Sequence, residues 1–167
     1  MVILIAGASH TGKTVLARSL VEQYHYSCLS IDHLKMGLIR SGYTDLTVFD
    51  DEALTAYLWP ILREMVKTAI ENRQNLILEG CYIPFDWKKD FTPEYLDQIE
   101  YRCLVMTQDY IEKNGERILR HANDVEQRLD SGLDWEALIR ENQRNLELCR
   151  QYDCPVILID EDYRVEF

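Results

Sequence analysis

One short segment limits what this chain can fold into more than any other. Residues 7–14 read Gly-Ala-Ser-His-Thr-Gly-Lys-Thr and match the pattern G-x-x-x-x-G-K-[ST] in full. Such a loop needs a buried strand before it and a helix after it, because its backbone N–H groups converge on phosphate oxygens at a helix N-terminus. Met1–Ala6 is a continuous apolar run, and apolar residues recur at helical spacing after the loop. The segment therefore predicts a strand–loop–helix unit that binds the phosphates of a nucleoside triphosphate.

Each residue type in this loop has its own task. The glycines let the backbone curve around an anion, and the Lys13 side chain is expected to reach the β- and γ-phosphates. The hydroxyl of Thr14 can ligate Mg²⁺. Gly12 is expected to open the helix, so that the positive end of the helix dipole faces the phosphates. The candidate nucleotide ligands are Gly7, Ala8, Ser9, His10, Thr11, Gly12, Lys13 and Thr14; His10 occupies a variable position of the motif, where a solvent-facing residue is the simpler interpretation.

Length and charge restrict the partners of the chain. A chain of 167 residues, of which 47% are hydrophobic, fits one domain with a real core. Its net charge of −11 repels phosphate backbones, so nucleic-acid binding is not expected and any bound anion needs a local basic site. The sequence has no apolar run of membrane-spanning length, no signal-peptide pattern, and five cysteines without metal-ligand spacing. We expect a cytoplasmic monomer or homodimer with reduced thiols and no membrane contact.

Strand and helix patterns alternate along the chain, which predicts βα units in a parallel sheet. The polar stretch at about residues 121–134 separates the last two helices and is expected to form a lid. Pro60 is expected to kink or break the longest helix. After the first strand, the predicted strands are Ser27–Ile31, Asn75–Glu79, Tyr101–Met106 and Pro155–Asp160, and the main helices are about Asp51–Asn72, Gln108–His121 and Trp135–Gln151.

Two acidic residues follow predicted strands at the edge where an open parallel sheet binds its ligands. Asp32 follows the second strand and could take the proton of an acceptor hydroxyl as a general base. The alternative for Asp32 is an ordinary helix N-cap. Glu79 ends the third strand, where it could hold Mg²⁺ through water, bind the acceptor, or only mark the end of the strand.

The cations of this acidic chain are few, and their positions are informative. Lys113, Arg117, Arg120 and His121 recur at i, i+4, i+7 and i+8, the spacing of one helical face. Arg120 has acidic neighbours four residues away on both sides, so a surface ion pair is the simpler interpretation. Arg117 has only basic or amide neighbours at helical spacing, which predicts a phosphate clamp that acts in the transition state.

Other basic residues are candidates on weaker grounds. Arg128, in the predicted lid, could also contact phosphate, as could Arg140 and Arg144, although Glu136 and Glu141 can pair with those two. Lys35 and Arg40 lie on the helix after Asp32 and could hold an anionic acceptor.

The phosphate loop, Asp32, Glu79-Gly80 and an arginine-bearing lid together resemble the small P-loop kinases of the nucleoside monophosphate kinase and shikimate kinase superfamily, over the whole chain. This resemblance implies an α/β fold of three layers, with a five-stranded parallel sheet in the order 2-3-1-4-5. It also implies ATP with Mg²⁺, and transfer of the γ-phosphate to a hydroxyl or phosphate of a small-molecule acceptor. The adenylate kinase motif Gly-Phe-Pro-Arg and the shikimate kinase glycine triplet are absent. Glu79-Gly80 followed by Pro84 is more similar to 2-phosphoglycerate kinases and zeta-toxin-like kinases.

Two alternatives stay open at this point. The acceptor could be a nucleoside or nucleotide. In another class, a regulatory protein that binds a nucleotide without transferring phosphate would keep the loop but would not need Asp32. A signalling GTPase is not favoured, because neither Asn-Lys-x-Asp nor Asp-x-x-Gly occurs in the sequence.

Overall fold

The computed structural model describes residues 1–125, 134–163 and 165 and, for residues 121–125, only the backbone. Most of the predicted lid, including Arg128, therefore lies outside the described residues. The strands are β1 (Val2–Gly7), β2 (Ser27–Ser30), β3 (Leu76–Glu79), β4 (Ile99–Met106) and β5 (Val156–Ile159). The helices are α1 (Lys13–Tyr24), α2 (Ile31–Arg40), α3 (Asp51–Glu71), α4 (Pro93–Leu96), α5 (Gln108–Val125) and α6 (Trp135–Gln151), with a 3₁₀ turn at Trp87–Asp90.

The five strands form one parallel sheet in the order β2-β3-β1-β4-β5, which confirms the predicted order. β1 lies at the centre, with Val2 opposite both Leu76 of β3 and Ile99 of β4. All six residues of β1 are buried, as a strand covered on both faces requires. The predicted strand ends are correct to within two residues.

Alternate residues of β1 enter two separate cores, one on each side of the sheet. Leu4 and Ala6 pack with the buried faces of α2 and α3 and with the aromatic connection that precedes β4. Ile3 and Ile5 pack on the other side with α1 and α5. Helices therefore cover both faces, and the carboxyl ends of the strands meet at one edge.

In α3, a proline lies inside a continuous helix. The helix continues through Pro60, so of the kink or break predicted there, the break is wrong. Its neighbour Trp59 is buried and donates a hydrogen bond from Nε1 to Asp90 Oδ2 at 2.8 Å, which ties this turn to the 3₁₀ segment. Ile61 and Met65 are more than one-third exposed, whereas their neighbours Leu62 and Val66 are buried. Adjacent residues differ by about 100° around a helix, so in these two turns Leu62 and Val66 face the core and the residue before each is turned towards solvent.

α5 is not a regular helix. Asn114 has non-helical angles (φ −116°, ψ 19°), and its side chain donates a hydrogen bond to the Tyr110 carbonyl at 3.0 Å. The indole of Trp135 lies beside Gly115, 3.3 Å from where a Cβ would stand. Lys113 thus precedes the irregularity while Arg117 follows it, and the predicted basic face is not continuous.

Two smaller expectations are also tested. The apolar stripe predicted for α1 is partly wrong, because Val15 and Tyr24 are exposed whereas Leu16 and Leu20 are buried. None of the cysteines forms a disulfide, and three of them are buried. Within the described part of the chain, no helix combines the length and apolar character needed to cross a membrane.

Candidate functional site

The phosphate loop joins the carboxyl end of the central strand β1 to the first turn of α1, as predicted. Three of its residues have positive φ: Gly7 (140°), His10 (64°) and Gly12 (85°). A Cβ at Gly7 would stand 2.5 Å from the Leu104 carbonyl oxygen, so the loop packs closely on β4. Gly12 is the N-cap residue of α1. His10 is half-buried and adopts the left-handed conformation, which its variable position in the motif did not reveal.

Lys13 lies inside the curve of this loop. Its ammonium donates a hydrogen bond to the Ala8 carbonyl at 2.7 Å, and only 7% of the residue is exposed. Burial disfavours the ammonium form, but the neighbouring Cys81 sulfur and the Glu79 and Asp32 carboxylates outweigh it and raise the pKa of Lys13. The side chain therefore remains a cation in a buried position, as phosphate binding requires.

Thr14 and Glu79 meet beside the lysine. The Thr14 hydroxyl donates a hydrogen bond to Glu79 Oε2 at 3.3 Å, and Glu79 is 2% exposed at the end of β3. A hydroxyl next to a buried carboxylate is a donor set that suits Mg²⁺, which usually takes one or two protein oxygens together with water and phosphate. Among the described residues, no group of three or more His, Cys, Asp or Glu side chains has metal-binding geometry. Thr14 and Glu79 could supply two oxygens to a metal ion that takes its other ligands from water and phosphate.

Asp32 does not cap α2. β2 ends at Ser30, which occupies the N-cap position, and Asp32 lies in the first helical turn. The N-cap alternative for Asp32 is therefore wrong. Its carboxylate instead forms an ion pair with Lys35, and the pair is mostly buried. Arg40 is exposed in the last turn, roughly 12 Å along the helix from Asp32 by the helical rise, so the structure does not bring it to this pair.

Lys35 connects Asp32 to two residues that sequence reasoning missed. Its ammonium donates a hydrogen bond to the Tyr82 hydroxyl at 3.0 Å and lies 4.9 Å from the centre of the Tyr82 ring. The Tyr82 hydroxyl in turn donates to Asp51 Oδ1 at 3.1 Å, in the first turn of α3. Burial, with Asp51 and Asp32 nearby, raises the pKa of Tyr82 well above its ordinary value. The phenol thus stays protonated and donates to Asp51.

A carboxylate from α6 also reaches the loop. Glu141 is exposed, but it is near enough to the loop for the Lys13 ammonium and the Ser9 backbone N–H to stabilise its carboxylate. Desolvation of the carboxyl group outweighs both and raises the pKa of Glu141. The pairing expected of Arg140 is confirmed, because its guanidinium contacts Glu136 at 3.3 Å. No sequence motif marks Glu141, which lies 127 residues after Thr14, the last residue of the loop.

The segment after β5 covers the other side of the loop. The Tyr163 hydroxyl donates a hydrogen bond to the Thr11 carbonyl at 3.2 Å, and its oxygen lies 1.7 Å from where a Cβ on Gly12 would be. Burial raises the pKa of Tyr163 to about 12, with a contribution from Tyr110. The sequence gives one indication of this contact: Tyr163 follows the last strand, and that strand ends at the same edge of the sheet at which the loop begins.

The arginines of α5 lie on this side of the molecule. Arg117 is exposed and close enough to Tyr110 to lower the pKa of that phenol, although burial raises it overall. Arg120 is exposed as well. Lys113 is paired with Asp109 at 3.9 Å on the surface. The structure therefore places Arg117 towards the Tyr163 side of the loop, away from the Asp32 side.

A cavity of about 490 Å³ lies elsewhere. Its walls include Trp87, Ile99 and Pro155, at the opposite edge of the sheet, and none of the candidate residues lines it.

Comparison with known proteins gives the fold. No family model and no curated protein sequence matches this chain. Deoxyadenosine kinase from M. mycoides with bound dATP matches with a TM-score of 0.56 at 16% identity, over 99% of this chain and 93% of its own. Shikimate kinase from Bacteroides thetaiotaomicron matches with a TM-score of 0.56 at 14% identity, over 98% of this chain and 90% of its own. A candidate kinase from Chloroflexus aurantiacus matches with a TM-score of 0.56 at 18% sequence identity, and the match covers 99% of this chain and 91% of the other. The chain therefore has the fold of the P-loop small-molecule kinases.

Proposed function

We propose that this chain is an ATP-dependent kinase that transfers the γ-phosphate to a hydroxyl or phosphate group of a small-molecule acceptor. The observation that carries the proposal is the position of Lys13, a buried cation inside a curved loop, with the Asp32 and Glu79 carboxylates acting on it from the ends of the neighbouring strands. Nucleotide phosphates, a metal ion and an acceptor hydroxyl need these three groups close together. We further propose that residues 1–167 form a single domain.

The donor nucleotide is held by the loop and by α5. Backbone N–H groups of residues 7–14 and the Lys13 ammonium bind its phosphates, and the N-terminus of α1 adds a favourable dipole. Arg117 and Arg120 contact the phosphates from the exposed side, and Arg117 stabilises the charge that develops on the transferred group.

Thr14 and Glu79 are the residues that would hold Mg²⁺, Thr14 through its hydroxyl and Glu79 through water. When bound, the ion neutralises phosphate charge. The hydrogen bond between the two side chains keeps the hydroxyl oxygen of Thr14 directed to the buried carboxylate, so the two oxygens are already side by side.

Asp32 acts as the general base. Its carboxylate accepts the proton of the acceptor hydroxyl as the hydroxyl oxygen forms a bond to the γ-phosphorus, and the bond from that phosphorus to the β–γ bridging oxygen breaks to release ADP. Lys35 fixes the orientation of the carboxylate through their ion pair.

A purified-protein assay tests this proposal. ADP release is measured with MgATP against a panel of nucleosides, nucleotides, sugars and phosphorylated metabolites, with Lys13→Met as the matched control. Release that depends on one acceptor, and that is lost in the control, supports a kinase. ATP binding without any acceptor-dependent release supports the nucleotide-binding regulator.

The panel also addresses the second kinase candidate. A nucleoside or nucleotide acceptor is favoured by the similarity in fold to a protein described as a deoxyadenosine kinase. Preferential turnover of nucleosides or nucleotides would identify this alternative.

A further inference from the structure

The side of the phosphate loop that faces α2 and α3 is rich in carboxylates. The charged groups that act most strongly on Lys13, Tyr82 and Glu141 include the carboxylates of Asp32, Asp51 and Glu79. Glu141 of α6 adds a fourth carboxylate, exposed and near enough to Lys13 and Asp51 for their charges to act on it. We call the space between Asp32, Asp51, Tyr82 and Glu141 the acceptor mouth, because it adjoins the loop on the side of the proposed general base.

The two lysines at the acceptor mouth already have partners. Lys35 is paired with Asp32 and donates to Tyr82, so its charge is balanced by a carboxylate in a mostly buried contact. Lys13 lies within the loop, where the proposed donor phosphates bind. Among the described residues, Arg40 is exposed at the far end of α2 and Arg117 lies near Tyr110, so neither supplies a cation to this space.

The carboxylates of the acceptor mouth would repel an acceptor that carries a phosphate or carboxylate group. Its charge would enter a space that, among the described residues, has more carboxylates than cations, and it would lie next to the phosphates of the donor. A hydroxyl or ammonium group would instead find hydrogen-bond acceptors in the Asp32, Asp51 and Glu141 carboxylates.

We propose, on the basis of the kinase function proposed above, that the acceptor is a neutral or cationic molecule with hydroxyl groups, such as a polyol, a nucleoside or an amino sugar, and carries neither phosphate nor carboxylate. Asp51 accepts hydrogen bonds from the acceptor, and Asp32 removes the proton of the reacting hydroxyl. This substrate class differs from the phosphorylated acceptor that similarity to the 2-phosphoglycerate kinases implies.

Matched acceptor pairs test the proposal. ADP release is measured for glycerol and glycerol 3-phosphate, glucosamine and glucosamine 6-phosphate, and deoxyadenosine and its 5′-monophosphate. The unphosphorylated member of an active pair is expected to have at least a tenfold higher kcat/KM. Preference for the phosphorylated member overturns this inference and leaves the kinase function intact. ATP binding without turnover of either member of any pair counts against the kinase function.

Two further measurements apply to the charge argument directly. Asp51→Asn is expected to reduce the discrimination within an active pair about threefold or more, whereas Asp45→Asn, the same charge change on the exposed loop before α3, leaves it unchanged. Calorimetry with inorganic phosphate, on protein saturated with a non-hydrolysable ATP analogue, is expected to show no binding at millimolar concentration. Tight phosphate binding there, or equal discrimination in Asp51→Asn and wild type, overturns the inference.

Discussion

The carboxylate of Asp32 is paired with the ammonium of Lys35 one turn further along α2, while Ser30 occupies the N-cap position. Asp32→Asn should therefore cost about 1–3 kcal/mol of unfolding free energy, between the values for an exposed and for a fully buried ion pair. Loss of a general base slows proton transfer by about 10²–10⁴-fold, so phosphoryl transfer should fall by at least a hundredfold. Thermal unfolding and single-turnover kinetics measure the two effects. Transfer at the parent rate would assign the base elsewhere, with Glu79 the next candidate.

Lys13→Met should remove most of the turnover without unfolding the protein. Methionine keeps the apolar stem that occupies the buried position, but it removes the charge that stabilises the transferring phosphate, an effect of about 10²–10³-fold for one such group. Circular dichroism checks the fold and a coupled ADP assay checks the rate. Turnover near that of the wild type would contradict the assignment of the loop.

Arg117→Ala should lower kcat by about tenfold or more and change ATP affinity little, because a clamp of this kind acts mainly in the transition state. Lys113→Ala is the matched control, since that lysine is paired on the surface before the irregularity at Asn114. Steady-state kinetics and equilibrium binding separate the two parameters. Equal behaviour of the two variants would show that Arg117 is an ordinary surface residue.

Glu141→Gln should tighten ATP binding about threefold or more, because the charge of this carboxylate is close enough to Lys13 to interact with it and would repel the phosphates expected at the loop. Glu147→Gln, the same change at an exposed position of α6, is the control. The pKa of Glu141 is raised above 4.5, so the wild type approaches the variant as pH falls through the range just above that value. Isothermal titration at several pH values measures this, and a weaker affinity in Glu141→Gln would mean that the residue supports the bound state.

Tyr163→Phe should weaken ATP binding a few-fold and cost about 1 kcal/mol of stability, because the Thr11 carbonyl loses its hydrogen bond from the phenol. Tyr152→Phe, at a more exposed position, is the control. Titration with ATP and denaturant unfolding give the two values. If neither value differs from that of the control, the phenol does not hold the loop.

Regular patterns predicted the fold well because they reflect burial. The apolar run of β1 requires a strand covered on both faces, and α6 has the predicted bounds Trp135–Gln151. The interruption of α5 was not predictable, because it depends on Trp135 packing beside Gly115 from another helix. The continuity of α3 through Pro60 was likewise not predictable, because the rule that proline breaks a helix considers only neighbouring residues and not tertiary contacts.

The residues of the candidate site also fall into two groups, those that the sequence predicts and those that only the folded structure brings together. Lys13 and Thr14 belong to a motif whose spacing specifies their positions, and Asp32 and Glu79 follow from strand ends that meet at one edge. Tyr82, Asp51, Glu141 and Tyr163 have no such spacing, because each reaches the site from a separate element. Their contacts exist only once the sheet is assembled.

The central position of β1 has a consequence for how the molecule is made. Val2 pairs with Leu76 and Ile99, so β1 acquires its second neighbour only after more than half of the polypeptide has been synthesised. Pairing over such sequence distances makes folding slow, and an apolar strand with open edges is a site of association with other chains in the meantime. Refolding yield should therefore fall with rising protein concentration, and a ribosome-bound chain that stops before β4 should require chaperone protection.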